Sequence, residues 1–123
     1  MRAIFDTNIL IDHLNAIAAA SKEIALYQSP MISQITWMEV MAGADSEVER
    51  KILRPFLASF EIVQLTIGVM EKAALLKAES KLKLPDAIIL ASALVNNLIL
   101  VTRDTKAFKQ SQWPNIRVPY ELS

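Results

Sequence analysis

Four acidic residues stand where the chain passes from one regular element to the next. Asp6 closes the apolar run Ala3-Ile4-Phe5 in IFDTNILID, Glu39 lies in ITWMEV, Asp86 in LKLPDAIIL and Asp104 in LVTRDTKAF. Each has an ordinary explanation of its own. Glu39 follows Thr36 at the spacing of a capping box. Asp86 follows Pro85 in what reads as the first turn of a helix, where an acid complements the helix dipole. Asp104 suits an N-cap, and Asp6 suits a turn bonded to the backbone of Asn8. For any single acid, capping is the better account. Four at the same kind of junction need a common cause.

The cause would be convergence. In an open parallel sheet, the carboxyl ends of the strands share one edge, and ligands bind along it. Asp6, Glu39 and Asp104 fall at or just past strand ends, and Asp86 opens the helix leading to the fourth strand. Two like charges about 4 Å apart cost about 4 kcal/mol at an effective dielectric near 20, so such a set needs protons or a cation. The chain has no Cys and no His beside the acids. An all-oxygen site suits Mg²⁺ or Mn²⁺ rather than zinc. Mg²⁺ keeps several waters, so it can deliver a nucleophilic water and hold a phosphate oxygen. That is the chemistry of phosphodiester hydrolysis, and it needs no nucleophilic side chain.

The elements that must position these acids follow from periodicity. Residues 2–6 read as a buried strand, and the pattern is helical from Ile9. The Ala-rich stretch 16–27 reads as a second helix or a continuation of the first. A second strand follows Pro30, and a helix runs from Thr36 through Ala42, ended by Gly43. Asp45 or Ser46 caps another helix, with Val48, Ile52, Leu53, Phe56 and Leu57 on its inner side. FEIVQLT is a third strand, and 68–82 is a helix. Pro85 fits a first helical position, and helix 85–96 is apolar nearly all round, hence buried. A fourth strand spans 98–103, a short helix spans about 105–110, and IRVPY is a terminal strand. Strands alternating with helices indicate a parallel sheet covered on both faces.

Composition narrows the function. The chain has 123 residues, the size of one domain, and 53% are hydrophobic. This excess suggests a face covered by a partner, so a homodimer is expected. Thirteen basic and thirteen acidic residues cancel, which argues against indiscriminate nucleic-acid binding. With two glycines, Gly43 and Gly68, a Gly-rich phosphate loop is excluded. No signal peptide or membrane span is legible, so a cytoplasmic protein is expected.

The four motifs IFDTNILID, ITWMEVMAGA, LPDAIILASAL and LILVTRDTKAF, in this order and spacing, resemble those of the PIN domain, and the likeness covers essentially the whole chain. It is most similar to the VapC-type toxins of prokaryotic toxin–antitoxin modules. The resemblance implies an α/β/α sandwich, 1–123, with strand order about 3-2-1-4-5. It further implies a Mg²⁺-dependent endoribonuclease acting on RNA and neutralised by a cognate antitoxin. Asp6, Glu39 and Asp86 match the family's most regular metal-site acids, and Asp104 its more variable fourth. Many relatives carry another acid where Ala107 stands, which leaves one metal or two open.

Thr7, Asn8 and Thr102 stand where they could orient Asp6 and Asp104, although turn or strand roles serve as well. Arg103 is the best candidate for a phosphate contact; Lys81, Lys83, Lys106 and Lys109 border the same region and are left open. His13 reads as a solvated or interface residue. Trp37 could stack on a base, though packing suits it better, and Trp113 reads as a packing anchor. Met31, Met38, Met41 and Met70 read as core or interface filler. Three rivals are weighed. A receiver-type signalling domain needs an acid after the third strand and a Lys after the last, and has neither here. A haloacid-dehalogenase-type phosphatase needs an acid at Asn8. An inactive PIN-like module that binds RNA or protein would not need all four acids.

Overall fold

The computed structural model describes residues 2–122. Within them, five short strands form one parallel sheet: β1 (Ala3–Phe5), β2 (Met31–Ser33), β3 (Glu61–Val63), β4 (Ile99–Val101) and β5 (Ile116–Arg117). Their order is β3-β2-β1-β4-β5, as expected from the sequence. The connecting helices are α1 (Thr7–Leu14), α2 (Ala18–Ala25), α3 (Gln34–Ala42), α4 (Glu47–Ala58), α5 (Ile67–Glu79) and α6 (Leu84–Val95). No helix among these residues is long and apolar enough to cross a membrane.

Strand side chains alternate between faces, and this sorts the core into two layers. Ala3, Phe5, Ile32 and Val101 meet Ile9 and Leu10 of α1, Val40 of α3 and Leu57 of α4. Ile4, Met31 and Leu100 meet Val69 and Ala73 of α5 and Ala87 and Leu90 of α6 on the opposite face. Covered on both sides, β1 is wholly buried, which is why it reads as a continuous apolar run.

From β1 the chain winds outward through β2 to β3, then returns to lay β4 against the other side of β1. The winding reverses between β1 and β4, and in such sheets the crevice for a ligand opens there. The register Phe5↔Val101 sets the next residues, Asp6 and Thr102, side by side. The Asp6 amide donates to the Val101 carbonyl at 2.9 Å.

Several boundaries move from their sequence positions, each for a local reason. α1 starts at Thr7, two residues early, because Asp6 adopts an extended backbone and its carboxylate accepts from the Thr7 amide. α1 and α2 are separate helices, divided at Ala16, whose φ of 63° is left-handed. α3 starts at Gln34, not Thr36, because Ser33 caps it through the Ile35 amide. Ser46 caps α4, but Val48 and Ile52 lie outward, 70% and 66% exposed, and only the later residues of that stripe turn inward. The short helix expected near 105–110 is a set of turns. Asp104 Oδ1 accepts from the amides of Lys106 and Ala107, and the chain then drops Phe108 into the core, fully buried.

Candidate metal centre

Strand ends and helix starts deliver the acids to one edge. Asp6 is 5% exposed. Its Oδ2 accepts from the Thr102 hydroxyl at 2.7 Å and its Oδ1 from the Thr7 amide at 2.8 Å. Thr102, fully buried, also accepts from the Asp104 amide at 3.0 Å. Asn8 Nδ2 reaches the same hydroxyl at 3.5 Å, and the buried Asn8 Oδ1 has no partner. Three of the residues expected to orient the acids, Thr7, Asn8 and Thr102, therefore do surround Asp6.

Glu39 is held differently from the capping box the sequence allows. It lies in the second turn of α3 and accepts from the Thr7 hydroxyl at 2.7 Å. Thr7 Oγ1 also lies 3.0 Å from Thr36 Oγ1. A hydroxyl has one proton to give; with the carboxylate taking it, the Thr36 hydroxyl supplies the other contact. Thr36, fully buried, thus steers Glu39 through Thr7, a role that its reading as a helix start concealed.

Electrostatics tie the acids together. Burial is the main cause pushing the Asp6 carboxyl up to about 7; the bond from Thr102 opposes it, the charge of Asp86 adds to it, the Thr7 amide opposes it and Asp104 adds again. Asp86, in the first turn of α6, is raised by burial, then by Asp104 and Glu39, against a lowering by Lys83. Asp6 and Asp86 are therefore each raised in part by neighbouring acids.

As they stand, no three His, Asp or Glu side chains among the described residues are close enough to hold an ion between them. In type and charge the donor set nevertheless fits a hard cation. It is oxygen throughout, its negative charge is incompletely offset, and Asn8 Oδ1 lies among these groups with no donor. Mg²⁺ commonly binds through one or two carboxylates and several waters, so widely set carboxylates suit it.

Arg103 is not the free cation its position suggests. Its Nε and Nη2 donate to Asp12 Oδ2 and Oδ1 at 2.5 and 3.0 Å, and Tyr120 donates to the same carboxylate at 2.8 Å. Asp12, 4% exposed, lies on α1, so this pair fastens the segment carrying Thr102 and Asp104 to the helix that follows Asp6. A phosphate contact would fall to the guanidinium donors that this pair leaves over. His13 is half-buried: it stacks on Phe56 with ring centroids 4.9 Å apart and bonds Ser21 at 2.7 Å. Trp37 packs against the α1–α4 layer and lines a hollow of about 430 Å³ that contains none of the four acids. Met31 and Met41 are buried, whereas Met38 and Met70 are about half exposed.

Past Asp86 and Asp104 the edge opens into a cleft of about 610 Å³. Lys81, Lys83, Lys106 and Lys109 line it, with Gln112 and Trp113.

A family model of the PIN domain matches residues 3–112. Among solved structures, a chain of a toxin–antitoxin complex from Klebsiella pneumoniae is 41% identical, over 98% of this chain and 99% of that one, with a TM-score of 0.89. A chain of a DNA-bound VapBC from Salmonella typhimurium is 23% identical over 95% and 96%, with a TM-score of 0.79. A chain of FitAcB from Neisseria gonorrhoeae is 20% identical over 98% and 99%, with a TM-score of 0.80. The last two establish likeness of fold alone. No curated protein matches.

Proposed function

Because the chain belongs to the PIN domain family, we propose that it is a Mg²⁺- or Mn²⁺-dependent endoribonuclease, the toxin component of a VapBC-type toxin–antitoxin module in the cytoplasm. The observation that carries this reading is the placement of the acids at the β1/β4 edge: Asp6 and the Asp104 amide share the Thr102 hydroxyl, Glu39 bonds Thr7 beside Asp6, and Asp86 lines one cleft with Asp104. In this reading these four side chains hold the metal. A bound Mg²⁺ or Mn²⁺ supplies Lewis acidity at the phosphate and lowers the pKa of the water it holds. Thr102 and Thr7 fix the direction of the Asp6 oxygens, Thr36 and Thr7 that of Glu39, and the lysines beside Asp86 attract the RNA backbone. The relative from Klebsiella pneumoniae belongs to a toxin–antitoxin complex, which supports a separate antitoxin chain as partner here. That partner and a second copy of this chain would cover exposed apolar side chains such as Val48 and Ile52 on α4 and Ile67 and Met70 on α5.

Metal removal tests the reading. Purified protein should fragment single-stranded RNA with Mg²⁺, stop on adding EDTA and resume with excess Mg²⁺, read on a denaturing gel. Cleavage undiminished by EDTA would overturn the metal role. The spacing of the carboxylates favours one second reading, a PIN-like module that binds RNA or protein without cutting it, and RNA bound but intact in the same assay would establish it.

The hydroxyl chain gives a finer test. Thr36→Val should weaken Mn²⁺ binding and RNA cleavage by roughly tenfold or more, the usual effect of removing a group that orients a ligand. Thr36→Ser, which keeps the hydroxyl, should restore most of both. Mn²⁺ affinity measured by electron paramagnetic resonance separates this from simple loss of fold. Unchanged affinity in Thr36→Val would remove the steering role.

A further inference from the structure

A lysine-lined cleft adjoins the acids, sharing Asp86 and Asp104 with them. Its volume of about 610 Å³ falls within the ~300–1,000 Å³ of sites that enclose small organic groups. Its charge is graded. Asp86 and Asp104 stand at the end shared with the acidic edge, while Lys81, Lys83, Lys106 and Lys109 surround the remainder, with Glu79 the one further acid. None of these lysines forms an ion pair among the described residues, so their ammonium groups are available to phosphates. Trp113 has one side packed against the α5/α6 core layer and also lines the cleft. Gln112 lies beside it, exposed, with donors and an acceptor to offer. A half-buried indole next to unpaired ammonium groups is the combination that holds an unstacked base and its flanking phosphates. The two strands of a paired helix keep their bases stacked inside and could not offer one to such a recess.

We propose that this cleft receives one unpaired nucleotide adjoining the scissile phosphate, with its base on Trp113 and Gln112 and its phosphates on the lysines. This rests on the nuclease reading above, and it assigns Trp113 a binding role in addition to packing.

Trp37 and Trp113 are the only tryptophans, which makes the test direct. In a Trp37→Phe, Asp6→Asn protein, which emits from Trp113 alone and does not cut, a short mixed-sequence oligoribonucleotide with Mg²⁺ should quench the emission saturably. A fully paired RNA duplex should not. With the acids intact, Trp113→Ala should raise KM roughly tenfold or more, and Trp113→Phe should recover most of the loss. If Trp113→Ala does not fold, the Lys106→Gln, Lys109→Gln variant serves instead. It should bind more weakly, and the log–log salt dependence of its binding should fall by about 0.7 per lost phosphate contact. If fluorescence anisotropy shows the strand bound while Trp113 emission stays unchanged, the cleft is not the path. The nuclease reading would survive that result provided the wild-type protein still cuts RNA. If the wild-type protein neither binds nor cuts RNA, both fall together.

Discussion

Replacing Asp6 with Asn should abolish RNA cleavage and, at pH 8 in EDTA, make the protein more stable than wild type. The first effect follows if Asp6 is a ligand. An amide carries no charge to hold a divalent cation, and the rate should fall roughly a hundredfold or more. The second follows from burial. The carboxyl of Asp6 is pushed up to about 7, first by burial and then by Asp86 and Asp104 against its hydrogen bonds. Between an ordinary pKa near 4 and that value, the native state keeps a proton that the unfolded chain has lost. Stability therefore falls as pH rises through this window and is flat above it. The gap from 3.8 to about 7 corresponds to roughly 4 kcal/mol of native-state cost. Asn removes that cost but keeps only one acceptor for the two donors, Thr102 and Thr7, a loss of about 1–2 kcal/mol. A net gain of about 2 kcal/mol should remain at pH 8, and little or none at pH 4. Urea denaturation at the two pH values measures it. A variant less stable than wild type at pH 8 would show that Asp6 is not a suppressed charge, and one that cuts RNA at the wild-type rate would show that it is not a ligand.

The sheet was legible because its signals are local. Runs such as Ala3-Ile4-Phe5 and Ile99-Leu100-Val101 carry no message besides burial, and their alternation with helical periods indicates a parallel sheet; the strand order is what the resemblance to the PIN domain implies. The acids were legible for a related reason: each sits at a junction, and a parallel sheet gathers junctions on one edge. Long-range choices were not legible. Ser33 and Thr36 are both competent caps three residues apart, and only the fold decides that Ser33 caps α3 while Thr36 turns inward to Thr7. The apolar stripe Val48, Ile52, Leu53, Phe56 and Leu57 is uniform in sequence, but the fold leaves the first two exposed. Arg103 looked free because its partner Asp12 lies 91 positions earlier, and no pattern within a helical window relates the two. The turns at 105–110 contain residues that a helix would accept. Asp104 does take the amides of Lys106 and Ala107 as an N-cap would, but the chain leaves the helical path after one turn, where Phe108 enters the core.

Asp12 also carries the second large effect, because it is a buried charge that joins separate parts of the chain. Burial alone would raise its carboxyl. The bonds from Arg103 and Tyr120 and the Arg103 charge outweigh that and hold it below the usual range. A carboxyl lowered in this way contributes stability above its unfolded pKa of about 3.9, and the contribution is lost as pH falls through the folded value. Asp12→Ala leaves a guanidinium fork and a phenol without their acceptor. Breaking a buried pair from one side costs about 3–5 kcal/mol, and Arg103, whose side chain is 33% exposed, regains some water, so about 3 kcal/mol is expected at pH 7. As pH falls below the unfolded value the difference from wild type should shrink, because the unfolded chain then takes up a proton that native Asp12 resists. The double variant Asp12→Ala, Arg103→Met removes both ends of the pair and should regain part of the stability, whereas Arg103→Lys cannot reproduce the two-point fork and should not substitute for Arg. Cleavage should follow the same order, because the pair fixes the segment on which Thr102 and Asp104 meet Asp6. A merely phosphate-binding Arg103 predicts a different outcome: Arg103→Met would leave stability unchanged and reduce the salt dependence of RNA binding. Thermal unfolding and a salt titration on that one variant decide between the two roles.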